Sequence, residues 1–249
     1  MRKSPKIFRL IVMAMMIALG VVVSPILRVE GMCPMAHFIN VVCAVLLGPW
    51  ESLICAMLIG IIRMLTMGIP PLALTGAVFG AFFSGMFYRF SKGKLLAAVF
   101  GEVFGTGIIG AVVSYPVMTF LWGKEGLSWL FYVPSFICGT LIGGTVAFAF
   151  LTKLASSGLL ERFQNQLGSE TYAAASGALG SSVSVAAIGV ISYVAVGIIS
   201  SVCNLESTVF IYIARGTLIV FITAAVIHYC VNRIKAGKNN NDQKSESSV

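Results

Sequence analysis

The sequence predicts an all-α fold, a polytopic bundle of eight membrane-spanning helices. Three observations predict it. Charged residues make up only 10% of the 249 residues and hydrophobic residues 58%, the mean hydropathy is +0.95, and apolar runs of membrane-spanning length recur as far as about residue 232. These runs lack the two-residue alternation of outer-membrane strands, and backbone groups in lipid must be satisfied internally, so helices are expected.

The predicted spans follow one another with short connections. We place them at 8–28, 35–49, 51–68, 71–89, 95–122, 129–152, 173–203 and 207–232. The second and third spans form a hairpin at Gly48-Pro49, because proline suits the first turn of a helix. A single long span there would also move the basic residues that follow the fourth span to the opposite side of the membrane.

The net charge of +8 follows the positive-inside pattern, so it does not indicate nucleic-acid binding. On the side of the N-terminus lie Arg2, Lys3, Lys6, Arg9, Arg89, Lys92, Lys94, Lys153, Arg162, Arg233, Lys235, Lys238 and Lys244. The opposite side receives Arg28, Arg63 and Lys124. Both termini are therefore predicted to be cytoplasmic, in a multi-pass protein of the cell membrane. We expect the first span to remain as a helix, because no small-x-small cleavage site follows it.

Four segments are predicted along the chain. Residues 1–155 form a six-helix membrane domain, and residues 156–172, with glycine and serine at both ends and amphipathic character between them, form a cytoplasmic linker. Residues 173–234 form a two-helix membrane extension. The polar residues 235–249 form a disordered cytoplasmic tail.

Enzyme and metal-binding motifs are scarce in the sequence. It contains no HExxH, no aspartate-rich metal motif and no GxxxxGK[ST] phosphate loop, so we expect no catalytic residue, metal or cofactor in this chain. The six cysteines show no CxxC spacing and are interpreted as small packing residues. Ser181 or Ser182 with His228 supports only a weak hypothesis of an intramembrane enzyme.

Three motifs in order carry a resemblance to a known family. They are HFINVVCAVLLGPWESLICAMLIGIIRMLTMG, PPLALTGAVFGAFFSGMFYR and GEVFGTGIIGAVVSYPV. Together they resemble the ThiW family, the substrate-capturing S components of energy-coupling factor (ECF) transporters. The resemblance covers about residues 5–155, and the two C-terminal spans are additional to the six helices of an ordinary S component.

The resemblance implies a function and a set of partners. An S component binds a vitamin or its precursor from outside, here the thiazole moiety of thiamine, 4-methyl-5-(2-hydroxyethyl)thiazole. It then associates with a transmembrane coupling protein and two ATPase subunits, which hydrolyse the ATP. Small alanines on the first helix dock the coupling protein, and Ala14 and Ala18 match them. The residues themselves leave the ligand open among the thiazole, the pyrimidine precursor, thiamine and a different small vitamin.

A small neutral heteroaromatic alcohol needs an aromatic wall and one or two hydrogen-bond partners. The outward halves of the spans offer eight candidate substrate-binding residues: His37, Asn40, Arg63, Tyr115, Thr119, Trp122, Trp129 and Tyr132. Alternatives stay open for most of them. The aromatic residues also suit an interfacial belt, His37 and Asn40 share one helix face and could bond another helix, and Arg63 could extend to lipid headgroups.

Polar residues nearer the cytoplasm are predicted to have other roles. Glu102 lies about two turns into the fifth span, so we expect it to pair with another helix or with the coupling subunit. Trp50 and Glu51, at the inner hairpin, are expected to contact the coupling module or to cap a helix. The alternative function is a stand-alone secondary transporter in which Glu102 and Arg215 couple ions.

Overall fold

The computed structural model divides into two compact units, residues 1–175 and 176–249. In the first unit it describes residues 5–26, 28 and 32–172. In the second it describes 193, 215–216, 218–220, 222–227, 229–231 and 234, all of them helical. The spans predicted at 173–203 and 207–232 therefore lie largely outside the described residues. The predicted tail and the serine and histidine residues of the enzyme hypothesis lie wholly outside them.

The described residues of the first unit form seven helices. They are α1 (Pro5–Val23), α2 (Pro34–Leu47), α3 (Pro49–Met67), α4 (Leu72–Phe90), α5 (Leu95–Leu121), α6 (Val133–Ser156) and α7 (Leu159–Leu167). Five of them, α1 and α3–α6, are long and apolar enough to cross a membrane. The all-α, multi-span prediction is thus confirmed. With 14 residues, about 21 Å, α2 is shorter than a membrane span.

The break between α2 and α3 falls at the predicted hairpin. Gly48 separates the two helices with a φ of 101°, in the left-handed region that favours glycine. Pro49 then occupies the first turn of α3, where its missing N–H costs no helical hydrogen bond. The two helices pack against each other, so the chain turns back here, and we call this end of the bundle the Gly48 end.

Despite its length, α2 forms the centre of the first unit. Eleven of its 14 residues are buried, and it packs against α4 and α6 as well as α3. Its valines at 41, 42 and 45 share one apolar cluster with Ala147, Phe148 and Leu151 of α6. On α1, by contrast, Gly20 is the one residue of Lys6–Val23 that is buried. The bundle is therefore built around α2, with α1 at its periphery.

Glycines bring α4 and α5 into backbone contact. A Cβ placed on Gly101 would lie 2.7 Å from the Cα of Ser84, and one on Gly110 would lie 2.9 Å from the carbonyl oxygen of Gly76. Larger residues at these positions would force the two helices apart. The four-residue spacing of small residues thus serves close helix packing here, as is usual in membrane bundles.

At the Gly48 end, side chains satisfy the last carbonyls of α2. Gln164 Nε2 lies 2.9 Å from the carbonyl oxygen of Val45, and Ser169 Oγ lies 2.7 Å from that of Leu46. A guanidinium nitrogen of α1 donates to the carbonyl oxygen of Leu47. We call these three donors the α2 cap: Arg9, Gln164 and Ser169.

The α2 cap draws on residues 156–172, the segment that the sequence predicts to be a cytoplasmic linker. Two of the three cap donors belong to this segment, which lies in the first unit and contains α7. Leu160, Gln164 and Leu167 are buried, whereas the other faces of α7 are exposed. The segment packs on the bundle because its amphipathic pattern supplies both apolar contacts and donors for helix carbonyls, which otherwise lack partners.

Candidate functional site

A buried carboxylate on α5 joins three helices. Glu102 is completely buried, and its Oε1 accepts hydrogen bonds from His37 Nδ1 at 2.8 Å, Asn40 Nδ2 at 3.1 Å and Thr106 Oγ1 at 3.0 Å. Asn40 Nδ2 also donates to the carbonyl oxygen of Ala77 on α4, at 3.1 Å. We call His37, Asn40, Glu102 and Thr106 the Glu102 cluster, because the hydrogen bonds between these side chains all converge on that carboxylate.

Local helix geometry explains how these side chains meet. His37 and Asn40 are three residues apart on α2 and therefore project from one face. Glu102 and Thr106 are four apart on α5, so Thr106 reaches back over one turn. Thr106 lies within residues Gly105–Gly110 of α5, which form a π-helical turn, a feature that is frequent at functional sites.

Two glycines on neighbouring helices make room for the cluster. A Cβ on Gly80 of α4 would lie 2.6 Å from Glu102 Oε2 and would also collide with the Thr106 hydroxyl. A Cβ on Gly139 of α6 would lie 3.2 Å from His37 Nε2 and 2.9 Å from Met32 Cγ. The cluster is thus enclosed on two sides by helix backbone.

The hydrogen bonding of the Glu102 cluster is incomplete. Glu102 Oε2 has no hydrogen-bond partner among the described residues. His37 is the one basic side chain within salt-bridge distance of Glu102 in the described part of the chain. A buried carboxylate is costly unless a cation compensates it. Glu102 Oε2 thus remains available to a further donor.

The structure places two of the predicted site residues in this cluster and so revises their expected depth. The sequence interpretation put His37 and Asn40 in the outer half of the bundle and Glu102 near the cytoplasm. Hydrogen bonds of 2.8 and 3.1 Å instead place them at one level. Because α2 is short and starts inside the bundle, its first two turns lie opposite the second and third turns of α5. Of the two partners expected for Glu102, another helix is the one observed.

The aromatic candidates form a separate group, beyond the cluster in the direction away from the Gly48 end. The rings of Tyr115 and Trp129 lie 4.6 Å apart. Tyr132 is buried and packs with Phe136 at a ring separation of 5.8 Å. Trp122 and Trp129 are more than half exposed, as residues of an interfacial belt would be. This group supplies an apolar wall.

The two remaining candidates are enclosed polar side chains. Arg63 is 3% exposed; its Nη2 donates to Cys33 Sγ at 3.4 Å, and its Nε has no hydrogen-bond partner among the described residues. Its head group is thus held within the protein and does not extend to the lipid surface. Thr119 Oγ1 is also buried, without a hydrogen-bond partner in the described part of the chain. No hydrogen bond links either of them to the Glu102 cluster within the described ranges.

Sequence reasoning left Glu102 and Thr106 out of the candidate site. The signal for Glu102 was present, since it is the one acidic residue deep within a predicted span of the first six. Thr106 gave no signal of its own, because a threonine one turn from a carboxylate is common. In the part of the chain that the structure describes, no group of three or more histidine, cysteine or acidic residues could hold a metal ion.

The first unit is thus a polytopic α-helical membrane protein with ionisable groups sealed in its interior, an arrangement typical of substrate and ion pathways. The chain belongs to the ThiW family, since the family model described as "Thiamine-precursor transporter protein (ThiW)" matches residues 10–157. It matches no curated protein and no solved structure. The predicted resemblance is confirmed, and the chain is a membrane transporter of a thiamine precursor, with a small molecule as its substrate.

Proposed function

We propose that this chain is the substrate-capturing S component of an ECF-type importer, with hydroxyethylthiazole as its substrate. The proposal rests mainly on the position at which the family match ends. It covers residues 10–157 and stops at the end of α6, so the matched region coincides with the six helices that an S component requires. α7 and the second unit then lie outside the matched region.

The proposed substrate site combines the polar and aromatic groups described above. His37 and Asn40 supply polar atoms, Tyr115 and Trp129 supply an aromatic wall, and Thr119 supplies a buried hydroxyl. Such a lining suits a small neutral ring with a hydroxyl group. Arg63, Trp122 and Tyr132 remain proposed contributors at the same end of the bundle.

The exposed α1 supports the proposed partner. Ala14 and Ala18 are exposed on one face, and larger apolar residues of the same helix are exposed beside them, namely Leu10, Ile11, Met15, Leu19 and Val22. Small residues four apart let a second helix approach closely in lipid. We propose that the coupling protein packs here and that its two ATPase subunits hydrolyse the ATP.

The proposed orientation places the Gly48 end and both termini in the cytoplasm. Arg89 lies beside Gly48, since a Cβ on that glycine would be 2.8 Å from its Nη2. Lys92 and Lys94 follow Arg89 in the turn to α5, and Lys153 lies in the last turn of α6. This concentration of basic residues at one end supports the assignment.

One uptake experiment separates this proposal from the second candidate, a stand-alone secondary transporter. The buried Glu102 and His37 pair favours that candidate, because such pairs form proton relays in transporters. Uptake of labelled hydroxyethylthiazole is measured in cells with and without the ATPase subunits, and with an uncoupler. For an S component, uptake disappears without the ATPases. Uptake that persists there and collapses with the uncoupler would establish the secondary transporter instead.

Calorimetric titration of the purified full-length protein tests the substrate and the site. We expect hydroxyethylthiazole to bind more tightly than the pyrimidine precursor or thiamine. Asn40→Ala should weaken this binding by about tenfold, the loss typical of one hydrogen bond in a buried site, and His37→Ala should weaken it at least as much. Unchanged affinity in both variants would move the site to α5 and α6.

A further inference from the structure

We propose that Arg63 and the N-terminus of α2 form an anion-binding subsite, which takes a carboxylate or phosphate group carried by the substrate. The inference rests on the proposed function, because it assumes that a thiazole precursor binds at this end of the bundle. It adds a requirement on the chemical class of the substrate. Of two thiazoles that differ only in charge, the one with an anionic oxygen group is held more tightly.

The buried charge of Arg63 has no counter-ion among the described residues. Arg63 is 3% exposed, and its Nε has no hydrogen-bond partner in the described part of the chain. No described carboxylate lies within salt-bridge distance of it. A guanidinium stays charged in proteins, and a buried charge without a partner is costly. An anion that the described residues do not supply would offset that cost.

The contact that Arg63 makes is a weak one. Its Nη2 donates to Cys33 Sγ at 3.4 Å, and the same sulfur donates to the carbonyl oxygen of Ser24 at 2.8 Å. A sulfur that donates a hydrogen is a neutral thiol, and thiols are weak acceptors. Cys33 therefore helps to position the guanidinium without neutralising its charge.

The contact with Cys33 also places Arg63 at the start of α2. Cys33 is the N-cap residue of α2, and its side chain makes no capping hydrogen bond to the helix. The first turn of α2 contains no acidic residue, although the N-terminus of a helix carries a partial positive charge. Helix N-termini bind carboxylates and phosphates for this reason. Two positive groups thus lie side by side, one a full charge and the other the end of a helix dipole.

Both groups lie far from the Gly48 end. Counted from Gly48, Cys33 and Arg63 are each 15 residues away along the chain, which is about 22 Å of helix rise. They therefore lie toward the end of the bundle that holds the aromatic group. In the proposed orientation this end faces the outside, from which an S component takes its substrate.

The donor geometry of Arg63 favours oxygen anions. Its Nε and Nη2 are neighbours on the planar guanidinium, whose fork matches two oxygens of a carboxylate or phosphate. Nε is the donor without a partner among the described residues. A neutral alcohol offers one acceptor and no charge, so it would leave the charge of Arg63 uncompensated. An anionic group on the substrate would supply both the acceptors and the charge.

The first test compares three ligands on the purified wild-type protein. They are hydroxyethylthiazole, its phosphate monoester and its acetate ester, which extends the same arm without a charge. In calorimetric titrations we expect the phosphate monoester to bind at least about tenfold more tightly than the alcohol, as befits hydrogen bonds from a charged donor. The acetate ester should show no such gain. A phosphate monoester that binds no more tightly than the alcohol would overturn the proposal.

The second test asks which residue produces the preference for the phosphate monoester. Arg63→Gln should abolish it, whereas Arg63→Lys should keep part of it, because lysine retains the charge but lacks the planar fork. Arg28→Gln is the matched control, since Arg28 is exposed and lies on the same side of the membrane in the proposed orientation. It should keep the full preference. An equal loss in Arg28→Gln and Arg63→Gln would assign the preference to the general surface charge and overturn the subsite.

The third test measures the ligand-free protein. Arg63→Met removes an uncompensated buried charge and keeps a side chain of similar length, so the unfolding temperature in detergent should stay the same or rise. Binding of the phosphate monoester should lose its advantage in the same variant. An unfolding temperature that falls by several degrees would show that Arg63 serves the packing of the helices, and would overturn the proposal.

Inorganic phosphate separates a free anion from a group of the substrate. Suppose that phosphate alone stabilises the wild type but not Arg63→Gln, while the three thiazoles bind equally. That result would assign the subsite to a free anion and overturn its link to the substrate. A wild type that binds none of the three thiazoles would refute the proposed function. Binding of hydroxyethylthiazole without any preference for the phosphate monoester would refute only the subsite.

Discussion

The two halves of α2 differ in how completely the polar groups beside them are hydrogen-bonded. At its C-terminal end the α2 cap satisfies three successive backbone carbonyls with neutral donors and one arginine. In its N-terminal half, His37 and Asn40 meet a carboxylate that keeps one oxygen without a partner among the described residues. Pairing the last carbonyls of a helix stabilises the fold, even though Arg9 Nε in the cap has no hydrogen-bond partner among the described residues. A carboxylate oxygen left unpaired in the interior is costly and needs another explanation.

The Glu102 cluster and the α2 cap also differ in where they lie relative to the residues that the family model matches. The Glu102 cluster lies within residues 10–157. All three α2 cap residues lie outside them, Arg9 just before the match and Gln164 and Ser169 after it. We therefore expect the cluster to serve the proposed substrate site and the cap to serve stability. The following predictions test that division.

The largest effect is expected from removing the buried carboxylate. Glu102→Leu leaves His37 Nδ1, Asn40 Nδ2 and Thr106 Oγ1 without this acceptor and should destabilise the protein by roughly 2–5 kcal/mol, since each buried donor left unpaired costs about 1–3 kcal/mol. Replacing both Glu102 and His37 by leucine should restore part of that stability, because the second leucine removes one of the unpaired donors. Substrate binding should stay absent in both variants.

Thermal and denaturant unfolding in detergent measure the stabilities, and titration calorimetry measures binding. A double variant as unstable as the single one would show that the polar contacts hold the helices together. In that case the polar contacts of both halves of α2 would serve the stability of the fold.

A second effect is expected from closing the space beside the carboxylate. Gly80→Ala places a Cβ 2.6 Å from Glu102 Oε2, and should cost about 1–3 kcal/mol through overpacking. Gly107→Ala on α5 is the comparison, since the atoms nearest to its Cβ all belong to Ile137, beginning with Cγ1 at 2.9 Å. We expect only Gly80→Ala to weaken binding as well, as calorimetry would show.

The cap should respond differently. Gln164→Ala removes the donor to the Val45 carbonyl and to Tyr88 Oη, at 2.9 and 3.1 Å, and should cost about 1–2 kcal/mol for the unpaired carbonyl. Affinity for substrate should not change. Gln166→Ala, exposed on the same helix, serves as the control with no expected loss. A Gln164→Ala variant of full stability but weaker binding would place the cap in the functional machinery.

The smallest expected effect is a loss of stability at alkaline pH, which involves Tyr172 at the Gly48 end. Burial of the Tyr172 phenol and its hydrogen bond to Glu170 raise its pKa to about 12, against 10.0 for an unperturbed tyrosine. Because the folded value is the higher one, the stabilisation is fully present below about pH 10 and is lost as the pH rises through about 12. Tyr172→Phe should therefore flatten the fall in unfolding temperature across that interval. An equal fall in the two proteins would remove Tyr172 as its source.

Much of the fold could be predicted because apolar run length and proline position are local signals. The sequence indicated the break at Gly48-Pro49 and the course of α3 to α6 within a few residues. The packed state of α7 could not be predicted in the same way. It depends on which backbone carbonyls lack partners at the end of another helix, and these are known only from the tertiary structure.

The candidate site was predicted only in part, for a related reason. His37 and Asn40 were found because polar residues in an apolar helix are conspicuous. Glu102, their carboxylate partner, was predicted to lie at a different depth in the membrane. That prediction counted depth from the ends of each span and assumed that every helix crosses the whole membrane. The short α2 breaks that assumption, and its length could be judged only once its neighbours were placed.

The length of α2 also bears on how the chain enters the apolar layer. At about 21 Å, α2 is shorter than the roughly 30 Å of a hydrocarbon core. With the Gly48 end at the membrane surface, the residues that lead into α2 lie at membrane depth without helical hydrogen bonds, which is tolerated only where protein covers the backbone. Met32 is buried and the Cys33 thiol donates to the Ser24 carbonyl, so the bundle itself supplies that cover.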